Sequence, residues 1–277
     1  MTGHEDCDEL DDLGRGFLQS LHPVIETYTV DSESQFLNIV ISKSQADDTP
    51  SNVLLFHTSE EIIHNILDFK NSFWKYLSAV DLNGKLILTK MPTIPHGTLG
   101  GELDNIICEV LRPMGLNRAL KTYPETRVHG DGERRYKFPD FGWGPKHRPR
   151  DQPDEPSVVL ETAYTENDIK LQPDIRFWLT PDNGNANVCL TAKIDKENSE
   201  IRLEQWHRFH GRIRRKQVIS ITIDSNNELA VSGDNPLNIS FSDLFRREPS
   251  RPGETSVSIP DNELTELART VWDNYDI

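Results

Sequence analysis

Apolar positions along the chain follow two rhythms, one of alternate residues and one of every third or fourth. Gln35–Ser42, containing Phe36-Leu-Asn-Ile-Val-Ile41, and Asn52–Thr58, containing Val53-Leu-Leu-Phe56, have the β-branched and aromatic content of strands. Ser59-Glu-Glu-Ile-Ile63 then opens a helix. Ser59 suits an N-cap, and Ile62, Ile63, Ile66, Leu67, Phe73 and Tyr76 recur at helical spacing. Asn83-Gly84 marks a turn before the strand Lys85-Leu-Ile-Leu-Thr89. A second helix is predicted from about Gly97 to Leu111, with Leu99, Leu103, Ile106, Ile107 and Val110 as its apolar face and Pro113 and Gly115 ending it.

Strands follow near Lys121–Val128 and Tyr136–Phe141, with Gly130-Asp-Gly132 as the turn between them. Ser157–Glu161 is apolar without alternation, as a central strand buried on both faces would be. A helix over roughly Asn167–Leu179 carries Pro173, which predicts a kink. Asn187–Ile194, Ile201–His207 and Gln217–Ile223 alternate as strands, with shorter ones at Leu229–Val231 and Leu237–Phe241. An Arg/Pro/Gly linker covers Arg246–Gly253, and a terminal helix turns Leu264, Leu267, Ala268, Val271 and Trp272 inward. Strands interleaved with helices in this order predict an α/β fold, a mixed central sheet flanked by helices with an N-terminal α/β extension. The expected divisions are an acidic disordered tail at 1–14, an extension at 15–90 and the main domain at 91–277.

Composition narrows the function classes. With 277 residues, 35% hydrophobic and 27% charged, the chain has the make-up of a soluble globular protein. No apolar run reaches membrane-spanning length, and Met1–Asp12 is acidic, unlike a secretory or mitochondrial leader. Three cysteines without CxxC spacing fit a reducing, intracellular setting, cytoplasm or nucleus. Gly97-Thr-Leu-Gly-Gly101 lacks the spacing of a dinucleotide loop, and the His207, His210 pair lacks partners for zinc.

The net charge of −15 argues against a protein coated in basic surface. Locally the sign reverses, at Arg134, Arg135, Lys146 and Arg148 and again at Arg212, Arg214 and Arg215. These are the candidate nucleic-acid contacts; solvated loops are the bland alternative.

The candidate chemistry lies between Lys137 and Lys170. Asp140 closes one β-like segment, Glu161 closes the buried apolar strand, and Lys170 follows on the next element. Two carboxylates can hold a divalent cation while a lysine orients the attacking water. A carboxylate ending a buried strand also needs a partner, and an arginine is the alternative to a cation. Glu102, beside the apolar stripe of its helix, is a further candidate ligand or lysine partner. Lys193 is the rival to Lys170, and Trp143 and Trp178 read as core.

These residues resemble the PD-(D/E)XK superfamily of restriction-endonuclease-like nucleases, specifically an uncharacterised group common in filamentous fungi. The resemblance covers most of 91–277. It rests on Pro95-His-Gly97 before the helix of Glu102, on Pro139-Asp140, and on Val158-Val-Leu-Glu-Thr-Ala-Tyr-Thr-Glu166. Lys170-Leu171 with Asp174, Trp178 and Leu179 continues it, as do Ile201–Trp206 and Phe241–Phe245. It implies Mg²⁺ or Mn²⁺ held by Asp140, Glu161 and the Thr162 carbonyl, with Lys170 as the catalytic lysine. It implies a nuclease, acting on DNA ahead of RNA, with a homodimer as a candidate assembly. Ala163 stands where the short form of the motif has lysine, so the resemblance also admits an inactive member serving as an interaction or regulatory module.

Overall fold

The structure, a computed structural model, describes residues 9–10, 17–18, 21, 25–45, 53–68, 75–91, 94–124, 126–130, 132, 134–148, 150, 154–164, 170–224, 226 and 228–273. Within the expected acidic tail, β1 (Glu9–Leu10) is a strand and the rest lies outside the described residues. After β2 (Glu26–Thr29), the segment expected to be a strand is a helix, α1 (Glu33–Ser44). Ser32 accepts the Gln35 amide as N-cap, Glu33 favours the positive first turn, and Phe36 and Val40 share the buried face. Cap and i, i+4 spacing thus outweigh the β-branched content of the run.

β3 (Val53–His57) follows, and α2 (Glu60–Asp68) starts where Ser59 accepts the Ile62 amide. β4 (Leu77–Asp81) and β5 (Leu86–Lys90) are buried throughout. α3 spans Ile94–Leu111. The two strands expected next resolve into four short ones: β6 (Leu120–Thr122), β7 (Val128–Gly130), β8 (Arg135–Lys137) and β9 (Phe141–Pro145). Asp140 is a bend between β8 and β9, not a strand residue.

β10 (Val158–Tyr164) is the buried central strand. α4 (Leu171–Leu179) begins late enough that Pro173 falls in its first turn, where its missing N–H removes no intrahelical hydrogen bond. β11 (Val188–Asp195), β12 (Glu200–Phe209), β13 (Arg212–Ile223), β14 (Leu229–Gly233) and β15 (Leu237–Ile239) follow. α5 (Phe241–Phe245), β16 (Val257–Ile259) and α6 (Asp261–Asp273) end the described chain. No helix among the described residues is long and apolar enough to cross a membrane.

The architecture is mixed α/β, with helices flanking two main sheets. In the larger sheet the order is β1-β13-β12-β11-β10-β9-β6, with β14 also on β13. β10 and β11 are parallel and their neighbours antiparallel. One face packs Val158, Leu160, Leu190 and Ile219 against α3 and α6; the other packs Val159 and Cys189 against Ile175 and Trp178 of α4. The second sheet has the order β2-β3-β5-β4-β8-β7. Strands of residues 26–90 are therefore completed by strands from 128–137, after which the chain crosses at Asp140 into the larger sheet. A bulge opposite Gln205/Trp206 leaves Lys216 as the extra residue of β13. It reverses the facing of that strand: Ile213 lies on the α4 side, Ile219 and Ile221 on the other.

Candidate functional site

The two sheets meet at a buried cluster of acids and lysines. β10 supplies Glu161, whose side chain points to the α4 face and is fully buried. Lys170 precedes α4, and Asp174 and Trp178 follow at i+4 and i+8, so all three line one stripe of the helix. Lys137 ends β8 and Lys90 ends β5, both strands of the second sheet. Asp140 sits between them at the crossover.

Asp140, Glu161 and Lys170 converge. The Lys170 ammonium lies 3.4 Å from Glu161 Oε2, 3.3 Å from Asp174 Oδ2 and 3.9 Å from Asp140 Oδ2. Asp140 is pinned by the Thr162 amide and hydroxyl, each donating to Oδ2 at 2.6 Å, and its Oδ1 pairs closely with Lys90. Lys137 lies 2.7 Å from Asp174 Oδ1 and 3.2 Å from Glu161 Oε1. The Trp178 indole donates to Glu161 Oε1 at 2.7 Å.

Three carboxylates therefore face three ammonium groups, and each of the six carboxylate oxygens faces a donor. Side-chain exposure is 5% at Asp140, 3% at Lys170 and 0% at Glu161 and Lys137, so solvent does little to screen the pairs.

Burial pushes the Glu161 carboxyl up, to about 7; Lys137 and Lys170 oppose that shift, while Asp174 and Asp140 add to it. Burial by itself would push Lys170 and Lys137 down. The surrounding carboxylates more than reverse it, and both ammonium groups hold their protons more tightly than an ordinary lysine. The sign of the pH effect follows. Folding strengthens proton binding at these lysines, so their contribution is complete below 10.5, the ordinary lysine value, and is lost as pH climbs through the higher folded values. Glu161 acts on the acid side: the folded carboxyl keeps its proton longer than the unfolded one, so its contribution becomes less favourable from 4.5 up to about 7. Urea midpoints measured from pH 8 to 12 should fall steeply above pH 10.5. A flat profile would mean that the lysines are not held by the acids.

The other sequence candidates lie elsewhere. Glu102 is half-buried on α3, which packs on the face of the larger sheet opposite α4. Among the described residues its carboxylate makes no hydrogen bond or ion pair. Lys193 is half-exposed, level with Ala163 rather than with Glu161. Trp143 is core, donating to Asp104 at 2.9 Å, whereas Trp178 is both core and a donor to Glu161.

Arg134 pairs with Glu60 at 2.7 Å beside the second sheet, and the Arg135 guanidinium covers the Phe17 ring. Lys146 and Arg148 are exposed beyond β9, with Arg148 4.0 Å from Asp154. Arg212 and Arg214 are exposed on β13, while Arg215 pairs with Glu204 at 3.0 Å. β9 and β13 stand four strand spacings apart, roughly 19 Å. The basic residues thus lie in three separate places.

Sequence reasoning missed Lys90 and left Lys137 and Asp174 without a role. A lysine directly after the apolar run Leu86–Thr89, and the Lys170, Asp174, Trp178 spacing, were the available signals. Compared with protein-family models and with curated proteins, the sequence matches none.

The donor set as packed does not fit a divalent cation. The oxygens a hard cation needs are hydrogen-bonded or ion-paired inside the protein.

Proposed function

We propose that this chain is a catalytically silent relative of the nucleases it resembles, working as an interaction or regulatory module. One observation carries this reading: three ammonium groups neutralise the acids and occupy the positions from which a cation would be coordinated. A buried centre of balanced charge attracts a further cation weakly, because each incoming positive charge meets three already in place. Its role is structural. It ties Lys90 and Lys137 of one sheet to Asp140, Glu161 and Asp174 around the other.

A second reading, Mg²⁺- or Mn²⁺-dependent hydrolysis of nucleic acid with DNA ahead of RNA, is favoured by the meeting of Asp140, Glu161 and Lys170 at one point. It requires Lys90 and Lys137 to withdraw. Plasmid, single-stranded DNA and RNA incubated with Mg²⁺ or Mn²⁺ should remain intact, and neither metal should raise the melting temperature. Metal-dependent cleavage that disappears in Asp140→Ala would establish the hydrolytic reading instead.

A further inference from the structure

The β12–β13 hairpin is basic in a chain that is strongly acidic. At its tip His210 and Gly211 both have positive φ, +50° and +81°, the twist that suits a two-residue hairpin turn. Phe209 beside the turn is 58% exposed, with the His210 ring against it at 4.1 Å. Phe209 stands directly opposite Arg212, and His207 opposite Arg214, so these residues share one face of the ribbon. Arg212, Arg214 and Lys216 are all exposed.

The outer edge of this stretch of β13 is paired with β1: Glu9 lies opposite Arg214 and Leu10 opposite Ile213, antiparallel. The sequence around β1 reads Glu5-Asp-Cys-Asp-Glu-Leu-Asp-Asp12, six carboxylates in eight residues. Two residues of an acidic stretch of sequence, Glu9 and Leu10, thus pair as a strand with a basic edge.

We propose that the distal edge of β13 is a docking site for an acidic, extended peptide of a partner protein, covered in this chain by its own N-terminal segment. The proposal is independent of whether the acid–lysine centre cleaves anything. A two-residue strand forms few ladder hydrogen bonds, and its hold depends on the high effective concentration that tethering gives. A partner strand running from Arg212 to Lys216 would form more of them and set its carboxylates among the same cations. Phe209 at the turn would supply an apolar anchor. The edge selects polypeptide over nucleic acid, because only a peptide backbone continues the alternation of N–H and C=O groups that a strand edge presents. Acidic side chains then select among peptides.

The test uses the full-length chain and a fluorescein-labelled peptide of the Glu5–Asp12 sequence with serine for Cys7, followed by fluorescence anisotropy. In a tail variant, Glu5, Asp6, Asp8, Glu9, Asp11 and Asp12 become the corresponding amides and Leu10 becomes proline, which weakens both the charge and the pairing of the internal competitor. This variant should bind the peptide about tenfold or more tighter than the native chain. Adding Arg212→Glu and Arg214→Glu should abolish binding while leaving the circular dichroism spectrum unchanged, since both side chains are exposed. A peptide with proline at the Leu10 position should bind at least tenfold more weakly. Equal peptide affinity for native and tail-variant chains would overturn the proposal. Equal affinity of the proline peptide would also overturn it, reducing the contact to charge alone. Tighter binding of a labelled single-stranded oligonucleotide than of the peptide would assign the hairpin to nucleic acid instead.

Discussion

A chain carrying Lys137→Met should be less stable than the native chain by about 3–5 kcal/mol in urea denaturation, the usual cost of breaking a buried ion pair from one side. Methionine nearly matches lysine in length, so the loss is electrostatic rather than a cavity. The ammonium lies between Asp174 at 2.7 Å and Glu161 at 3.2 Å, with its side chain fully buried. Its removal leaves three carboxylates facing two lysines in a place that water does not screen. The remaining charge has one escape, which is for Glu161 to keep a proton, toward which burial already pushes it. The variant should therefore lose less at pH 5 than at pH 8. Adding Asp174→Asn should recover part of the loss, because the pair is then removed from both sides and the two effects do not add. A loss below about 1 kcal/mol at pH 8 would show that Lys137 is not electrostatically coupled to the acids.

The second large effect is expected at Trp178. The residue has no solvent exposure and packs in a cluster with Val159, Ile175, Cys189 and Trp206, and its indole N–H donates to Glu161. Gly184 leaves room for the ring: a Cβ there would come within 2.4 Å of Trp178 Cε3. Trp178→Ala should cost about 3–5 kcal/mol from lost burial and the resulting cavity. Trp178→Phe keeps most of the packing and deletes the donor, so about 1–3 kcal/mol is expected. If both variants lose equally, the hydrogen bond to Glu161 dominates and packing does not. If the phenylalanine variant matches the native chain, Glu161 is held by its lysines alone.

Elements whose faces are set locally could be read from the sequence. The terminal helix turns in Leu264, Leu267, Ala268, Val271 and Trp272 as their spacing requires, and the unalternating run at Val158–Leu160 lies in a strand buried along its length. The segment Phe36–Ile41 misled because isoleucine and valine content suggested a strand. The deciding features were the Ser32 cap and the Phe36, Val40 pair, four residues apart. The candidate site divided along the same line. Glu161 was legible because an acid after an apolar run is conspicuous, although it does not close the strand as expected, since β10 continues to Tyr164. Lys170 was legible because it directly precedes the next helix. Lys90 was not, since its partner Asp140 lies fifty positions away and no local pattern encodes that meeting. Lys137 was hidden differently. It stands three residues before Asp140, yet its ammonium pairs with Glu161 and Asp174, across a boundary between two sheets that the sequence does not mark.

The crossing at Asp140 limits how the chain can be cut. β7 and β8 belong to the sheet that begins at Glu26, while β9 a few residues later belongs to the other. A fragment ending at residue 90 would lack two strands of its own sheet and expose the β4 edge that β8 covers. A fragment beginning at residue 91 would carry the β7–β8 hairpin with no sheet to join and would leave Asp140 without Lys90. Neither piece is a portable unit. Two-hybrid baits, crystallisation truncations and domain grafts taken at that boundary should yield insoluble protein, and duplication or shuffling of either half during evolution would meet the same obstacle.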